Sequence, residues 1–430
     1  MSSGEVVVLR GGTLVDASGR RRADVVVSGG VVAAVGTDLD PPSGALQLDA
    51  SGAVVAPGLV DIHTHLREPG MEEAETVESG ARAAALGGYT AVVAMPNTDP
   101  PVDSAAVASR VLGLGRNACV EVAVAGAITV GREGRRLAPL AEMAALGVAL
   151  FTDDGAGVQD ARLMRRALEY ASALGVTLAE HCEDASLAAG GQMHEGAWSS
   201  RLGIPGQPAE AEEVMVMRDI ALCRLTGAPV HFLHLSTRGS LALVRAAKAG
   251  GLPVTAEAAP HHFSLTDALV ASFDPVFKVN PPLRGPDDVA AVRAALSDGT
   301  LDAIATDHAP HPPEAKELPF DQAPPGMLGL ETALALALTE AALPLESVLA
   351  LMSWQPARIA GLRSTQGGPV EVGRPANLCV VDPSTRWVVD PARSASRSRN
   401  NPYAGRELTG AVRHTVAAGV AVVVDGEGRR

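Results

Sequence analysis

Six side chains that can bind a divalent metal stand at, or just beyond, the ends of short apolar runs in this chain. One run closes on Asp61-Ile-His63-Thr-His65, and others lead into Asp153-Asp154, His181, His234 and Asp307-His308. A single histidine in such a place is ordinarily a satisfied polar residue, and His-x-His alone is a weak pattern. Four histidines and two aspartates at the ends of five separate runs form a joint pattern that points to a metal site. Imidazole and carboxylate together suit borderline divalent ions such as Zn2+. Six groups exceed the four that one tetrahedral zinc takes. Two ions about 3.5–4 Å apart, sharing a bridging group, would use them all. His63, His65 and Asp307 would hold one ion, and His181 and His234 the other.

These residues need a scaffold that brings the ends of their runs together. Eight short apolar runs occur in the middle of the chain: Leu59–His65, Thr90–Met95, Val120–Ala125, Val148–Thr152, Val176–His181, Val230–Leu235, Pro253–Glu257 and Ala303–Thr306. Stretches rich in Ala, Leu, Glu and Arg follow them. Near-continuous hydrophobicity fits parallel strands covered on both faces, and strands alternating with helices imply right-handed βα units. Eight units predict an α/β fold: a (β/α)8 TIM barrel over about residues 58–366, with its chemistry at the C-terminal ends of the strands. An open doubly wound sheet is the competing architecture, but no glycine-rich phosphate loop opens a helix after the first strand. The strand period of two points His63 and His65 to the same, inward side. Some barrels of this type bridge two metals with a carboxylated lysine. That is impossible at the fourth strand here, because the first of only three lysines is Lys248. The bridge is therefore expected to be a carboxylate, Asp154, with an orienting or capping role left for Asp153. Residues 1–57 and 367–430 share a different texture, Val-rich runs broken by Gly, and predict one small β-sandwich built from both termini. Pro310–Pro325 reads as a mobile loop.

Composition narrows the function further. The chain has 430 residues, 47% of them hydrophobic and 20% charged, which is ample for a core and unlike a disordered chain. A formal net charge of −14 makes nucleic acid or an anionic membrane surface a poor partner. No apolar run approaches the roughly 18–20 residues that a membrane helix needs. The beginning of the sequence lacks a basic segment followed by an apolar one, so no secretory signal is expected. Four scattered cysteines, without a CxxC pair, suggest reduced thiols in a cytoplasmic protein. His194, His231 and His414 lie outside the strand-end set and read as structural. His261, His262 and His308 read as loop-packing residues or as partners that orient ligands.

Longer motifs surround these residues. DIHTHLREPG (61–70), GGYTAVVAMPNT (87–98), FTDDG (151–155), EHCED (180–184), HLST (234–237), AEAAPHH (256–262), NPPLR (280–284), IATDHAPH (304–311) and GRPANLCVVD (373–382) closely resemble dihydroorotases of the bacterial class I type, within the amidohydrolase superfamily. The resemblance spans nearly the whole chain. It implies the reversible cyclisation of N-carbamoyl-L-aspartate to L-dihydroorotate, a step of pyrimidine synthesis. It implies metal ligands at His63, His65, Asp154, His181, His234 and Asp307. It also implies substrate contacts at His65, Arg67, Asn97, Asn280, His311, Pro325 and Gly326. One departure stands out: the family usually carries an aromatic residue where this chain has Pro325. At least a dimer is implied, and association with aspartate carbamoyltransferase is possible.

On this reading a metal-activated hydroxide opens the ring, with Asp307 as general base and then general acid. Arg67 would grip the substrate carboxylate with its planar fork, helped by Asn97 and His311. The bland alternatives are a surface ion pair of Arg67 with Glu68 or Glu72, a turn-making Asn97, and a solvent-exposed His311. A neutral-ring amidase (dihydropyrimidinase, hydantoinase or allantoinase) would share the metals but have no use for Arg67. A non-catalytic scaffold for the carbamoyltransferase should have lost ligands, and all six are present.

Overall fold

A computed structural model describes residues 5–429. The eight apolar runs form eight parallel strands, labelled here β1 (Leu59–Thr64), β2 (Tyr89–Ala94), β3 (Glu121–Gly126), β4 (Leu150–Phe151), β5 (Thr177–Glu180), β6 (Val230–Phe232), β7 (Val254–Ala258) and β8 (Ala303–Ile304). Each pairs with its neighbour in sequence from β1 through to β8. That order excludes the doubly wound sheet, whose strand order reverses at a switch point. Every residue of β1 and β2 is buried, as strands covered on both faces must be.

Strands β4 and β8 are shorter than their apolar runs. Past Phe151 and Ile304 the chain is held by single bonds, from the Thr152 N–H to the Gly126 carbonyl at 2.8 Å and from the Ala305 N–H to the Ala258 carbonyl at 3.2 Å. It then turns to present Asp154 and Asp307. Helices follow the strands and begin where side chains cap them. Thr76 accepts the Ser79 N–H at 3.1 Å, Asp160 that of Leu163 at 2.8 Å, and Thr237 that of Ser240 at 3.2 Å.

The circle closes between β1 and β8 through a side chain rather than a regular ladder. The fully buried Asp61 accepts the Thr306 N–H at 3.1 Å and the Thr306 hydroxyl, together with the His63 N–H at 3.1 Å. Further along, Thr64 and His308 form a parallel bridge, and the His65 N–H donates to the His308 carbonyl at 2.9 Å.

The terminal segments build two further sheets. One joins four strands from Val7–Arg10 to Leu46–Asp49. The other joins seven, drawn from both ends of the chain, with Leu378–Val388 antiparallel to Val54–Pro57 and Leu378 opposite Pro57. Val7, Leu9, Val25, Val55, Val380 and Val416 share one apolar core. The C-terminal segment is therefore stitched to the residues that lead directly into β1.

Removing Asp61 would orphan the buried amides of Thr306 and His63, each at about 1–3 kcal/mol. Asp61→Ala should lower stability by at least ~2 kcal/mol, read as a lower urea midpoint with an unchanged slope. A wild-type midpoint would mean that the seam is held by something else.

Candidate metal centre

Barrel closure brings the ends of β1, β4, β5, β6 and β8 to one mouth. The six expected metal-binding residues meet there, all of them buried. Asp154 is at the middle. Its Oδ1 lies 3.4 Å from His63 Nε2, 3.5 Å from His181 Nδ1 and 3.6 Å from His234 Nε2, while its Oδ2 lies 3.5 Å from His65 Nε2. Asp307 Oδ1 lies 3.0 Å from His65 Nε2 and 3.6 Å from His63 Nε2. His181 Nδ1 and His234 Nε2 face each other at 3.0 Å. His63, His65 and Asp307 thus form one group of converging donor atoms, and His63, Asp154 and His234 an overlapping one.

Such a cluster needs positive charge. Two imidazole nitrogens at 3.0 Å cannot both present lone pairs without a proton or a cation between them. Burial disfavours protonated His63, yet Asp154, with Glu257 and Asp307, outweighs it and pushes the pKa well above 6.5. Burial likewise opposes protonated His181, but Asp154 and then Glu183 raise it to about 10. Asp154 is held well below the ordinary carboxylate range by His63, His181 and His234, and Asp307 by His65, His63 and His234, against the pull of burial. Protons on imidazoles therefore supply what a divalent ion would supply with better geometry. His63 Nε2 also lies buried with no hydrogen-bond partner, an atom that a bound cation would satisfy in place of a proton. The donor set fits a divalent metal.

The backbone is strained at two of these positions and at the neighbouring Arg67. Arg67, His234 and Asp307 have φ of 61°, 30° and 48°, in the left-handed region that non-glycine residues rarely enter. Asp153, beside the central carboxylate, has the capping role left for it. It accepts the Ile128 and Thr129 N–H groups at 2.9 and 3.0 Å and the Thr129 hydroxyl, tying the β4 loop to the end of β3.

The expected substrate residues ring the mouth. Arg67 makes no ion pair among the described residues. Glu68 and Glu72 are instead turned to the Val77 and Gly70 N–H groups. The Arg67 Nε–H donates to the Pro310 carbonyl at 3.1 Å, and its Nη2 is 3.5 Å from His311 Nε2. Burial lowers its pKa to about 10, against the attraction of Asp307 and Asp154. Asn97 touches the cluster itself: its Oδ1 accepts the His65 Nδ1–H at 2.8 Å and its Nδ2 donates to Asp154 at 3.3 Å. Asn280 donates to Glu183 at 2.8 Å, and Glu183 Oε2 is 3.7 Å from His181 Nε2. His311 donates from Nε2 to the Pro325 carbonyl at 2.8 Å. That contact is made by main chain, so the unusual proline leaves it intact. At Gly326, φ is 145° and a Cβ would lie 2.8 Å from His311 Nε2, so glycine is required.

Several residues important to this arrangement were not singled out by the sequence reading. The loop read as mobile contains a short helix, Pro313–Lys316, and is tied down by two lysines. Lys316 Nζ donates to the carbonyls of Pro275, Lys278 and Pro324 at 3.0, 3.3 and 2.8 Å. Lys278 Nζ donates to those of Phe320 and Asp321 at 2.7 and 3.2 Å. Asn400, far along the chain, reaches back to accept the His311 N–H at 3.2 Å and to donate to the Ala309 and Gly326 carbonyls at 3.0 and 3.1 Å. The side chain of His308 faces Glu75 at 3.4 Å rather than a metal-binding residue. His231, read as merely structural, meets the buried Glu257 of β7, which also meets His63. A signal existed for Glu257: a carboxylate two residues after Thr255 in an otherwise apolar barrel strand.

A barrel with this cluster at its mouth is the scaffold of metal-dependent cyclic amidohydrolases. The solved structure of an L-hydantoinase (dihydropyrimidinase) from Arthrobacter aurescens superposes with a TM-score of 0.89 and 26% identity, covering 99% of this chain and 97% of that one. The dihydro-orotase-like family profile matches residues 52–240. A dihydroorotase from Streptomyces coelicolor is 52% identical over 411 residues, covering 94% of this chain and 96% of that protein. Another, from Pelotomaculum thermopropionicum, is 49% identical over 426 residues, covering 97% and 99%. The chain belongs to the dihydroorotase family.

The central place of Asp154 yields a test. Asp154→Ala should retain less divalent metal than wild type after dialysis, measured by elemental analysis. Wild-type metal content would remove Asp154 from the centre.

Proposed function

We propose that this protein is a dihydroorotase that interconverts N-carbamoyl-L-aspartate and L-dihydroorotate in pyrimidine biosynthesis. The observation that carries the assignment is Arg67: a partly buried guanidinium without an ion-pair partner among the described residues, at the mouth beside the histidine–aspartate cluster. An unpaired buried charge is costly, and a ligand carboxylate would relieve it. His311, held beside Arg67 by Pro325 and Asn400, and Asn97, held between His65 and Asp154, would complete the grip. Asn280 and the main chain of Pro325-Gly326 would form the opposite wall. We assign the metal as zinc, two ions per subunit: His63, His65 and Asp307 would hold one, His181 and His234 the other, and Asp154 would be shared. Metal held there would supply an acidified water and a polarised carbonyl.

The remaining chemistry falls to the protein's side chains. In ring opening, Asp307 accepts the proton of the attacking water and delivers it to the departing ring nitrogen as the C–N bond breaks. In closure the ureido nitrogen attacks the side-chain carboxyl carbon. Asp307 then takes that nitrogen's proton and passes it to the departing carboxylate oxygen, which leaves as hydroxide and takes a second proton from solvent to become water. Arg67 binds the other carboxylate and fixes which carbonyl faces Asp307.

We divide the chain into a catalytic unit, 58–366, and a smaller unit, 1–57 with 367–430. Four unpaired cysteines support the reading of a cytoplasmic protein. A homo-oligomer, and association with aspartate carbamoyltransferase, remain part of the proposal on family grounds. The hydantoinase-like fold favours one other reading, a neutral-ring amidase. Arg67 and the closer identity to dihydroorotases weigh against it.

Purified protein should turn over L-dihydroorotate, but not dihydrouracil, hydantoin or allantoin, and should lose activity to a chelator. Turnover of the neutral rings would overturn the role of Arg67, and chelator-resistant turnover the metal assignment. Asp307→Ala should abolish turnover, whereas Arg67→Ala should chiefly raise KM. Unchanged kcat in the Asp307 variant would sink the mechanism.

A further inference from the structure

Glu257 is buried inside the barrel, beneath the metal cluster, with a carboxylate that the mechanism does not use. Its Oε1 is 2.8 Å from His63 Nδ1, and its Oε2 is 3.1 Å from His231 Nε2. Oε1 also accepts the main-chain N–H of His234 at 3.4 Å. On its far side, His231 Nδ1 is 2.8 Å from the Thr255 hydroxyl. Glu257, His63 and His231 are each 0% exposed.

With both imidazoles neutral, these contacts leave one consistent set of donors. A carboxylate can only accept, so His63 carries its proton on Nδ1 and His231 carries one on Nε2. His231 Nδ1 then accepts from the Thr255 hydroxyl. The hydrogen bonds thus run from Thr255 through His231 and Glu257 to His63, and His63 is left with Nε2 near Asp154 and Asp307. The same carboxylate steadies the main chain of His234, whose φ of 30° needs support, so one residue touches both halves of the cluster.

A purely structural role accounts poorly for this. Barrel interiors are filled by apolar layers, and a buried charged pair replaced by apolar groups of similar size is often neutral or stabilising. We propose that Glu257, supported by His231 and Thr255, is a positioning residue. It fixes the tautomer and ring orientation of His63 so that Nε2 faces the metal, and it holds His234 in register. This inference rests on the metal-site reading above.

The test compares zinc binding by wild type, Glu257→Met and Glu257→Gln, using competition with a chromophoric chelator. Gln keeps an oxygen that can accept from His63; Met does not. The Met variant should bind zinc about 10–100-fold more weakly, with the Gln variant close to wild type. Met binding as tightly as wild type would overturn the proposal, and so would Gln binding as weakly as Met. Should the Met variant not fold, 15N-histidine spectra of zinc-loaded wild type still decide the matter. The expected result is a proton on His63 Nδ1 and none on Nε2; a proton on Nε2 would overturn the proposal. Wild type that binds no zinc would instead refute the metal-site reading itself.

Discussion

Four imidazoles converge on one buried carboxylate, Asp154, with a second carboxylate, Asp307, only 3.0 Å from one of them. Away from water, such groups cannot coexist without added positive charge, because burial penalises every ionised member singly. The cluster therefore takes protons or takes metal. The surrounding architecture keeps the histidine nitrogens and carboxylate oxygens aimed at a common centre, so that a divalent ion finds ligands already placed. Asn97 and Glu257 each accept an Nδ1–H, from His65 and His63 respectively, and so turn both Nε2 atoms of the His-x-His pair inward.

That requirement explains features that local propensity does not. Left-handed backbone at Arg67, His234 and Asp307 costs of order 1–3 kcal/mol each and persists only where surroundings over-determine it. Asp61 at the seam, Asp153 across β3 and β4, and Glu257 beneath His234 supply that surrounding structure through buried hydrogen bonds. The mouth is organised by the same logic on a larger scale. Lysines 278 and 316 satisfy loop carbonyls that would otherwise be left without donors. Asn400 ties His311 and Gly326 to the C-terminal segment. The Arg67 guanidinium is tolerable beneath the mouth because the acidic Asp307, Asp154 and Glu75 lie nearby.

Much of this was legible in the chain. Continuous apolar runs marked all eight barrel strands to within a few residues, because strands buried on both faces have no polar side to show. The alternation in Asp61-Ile-His63-Thr-His65 placed both histidines on one side for the same stereochemical reason. The lysine count pointed away from a carboxylated lysine at the fourth strand and toward Asp154, whose carboxylate oxygens lie 3.4 Å from His63 Nε2 and 3.5 Å from His65 Nε2. Val-rich ends announced sheets built from both termini. Less legible were the short lengths of β4 and β8, the anchoring of the Pro310–Pro325 loop, and the parts played by Asn97, Glu257, His231 and Asn400.

Sequence by itself determined the elements and the inventory of reactive groups, since both follow from patterns a few residues long: runs, periods and strand ends. Only the tertiary structure decided which group meets which. Glu257 is 194 residues from His63, and Thr306 is 245 residues from Asp61. Such pairs are set by the closure and register of the whole barrel. A buried carboxylate in an apolar strand looks the same locally whether it faces a histidine or a void; burial and hydrogen-bond geometry, which exist only in the folded chain, make the difference.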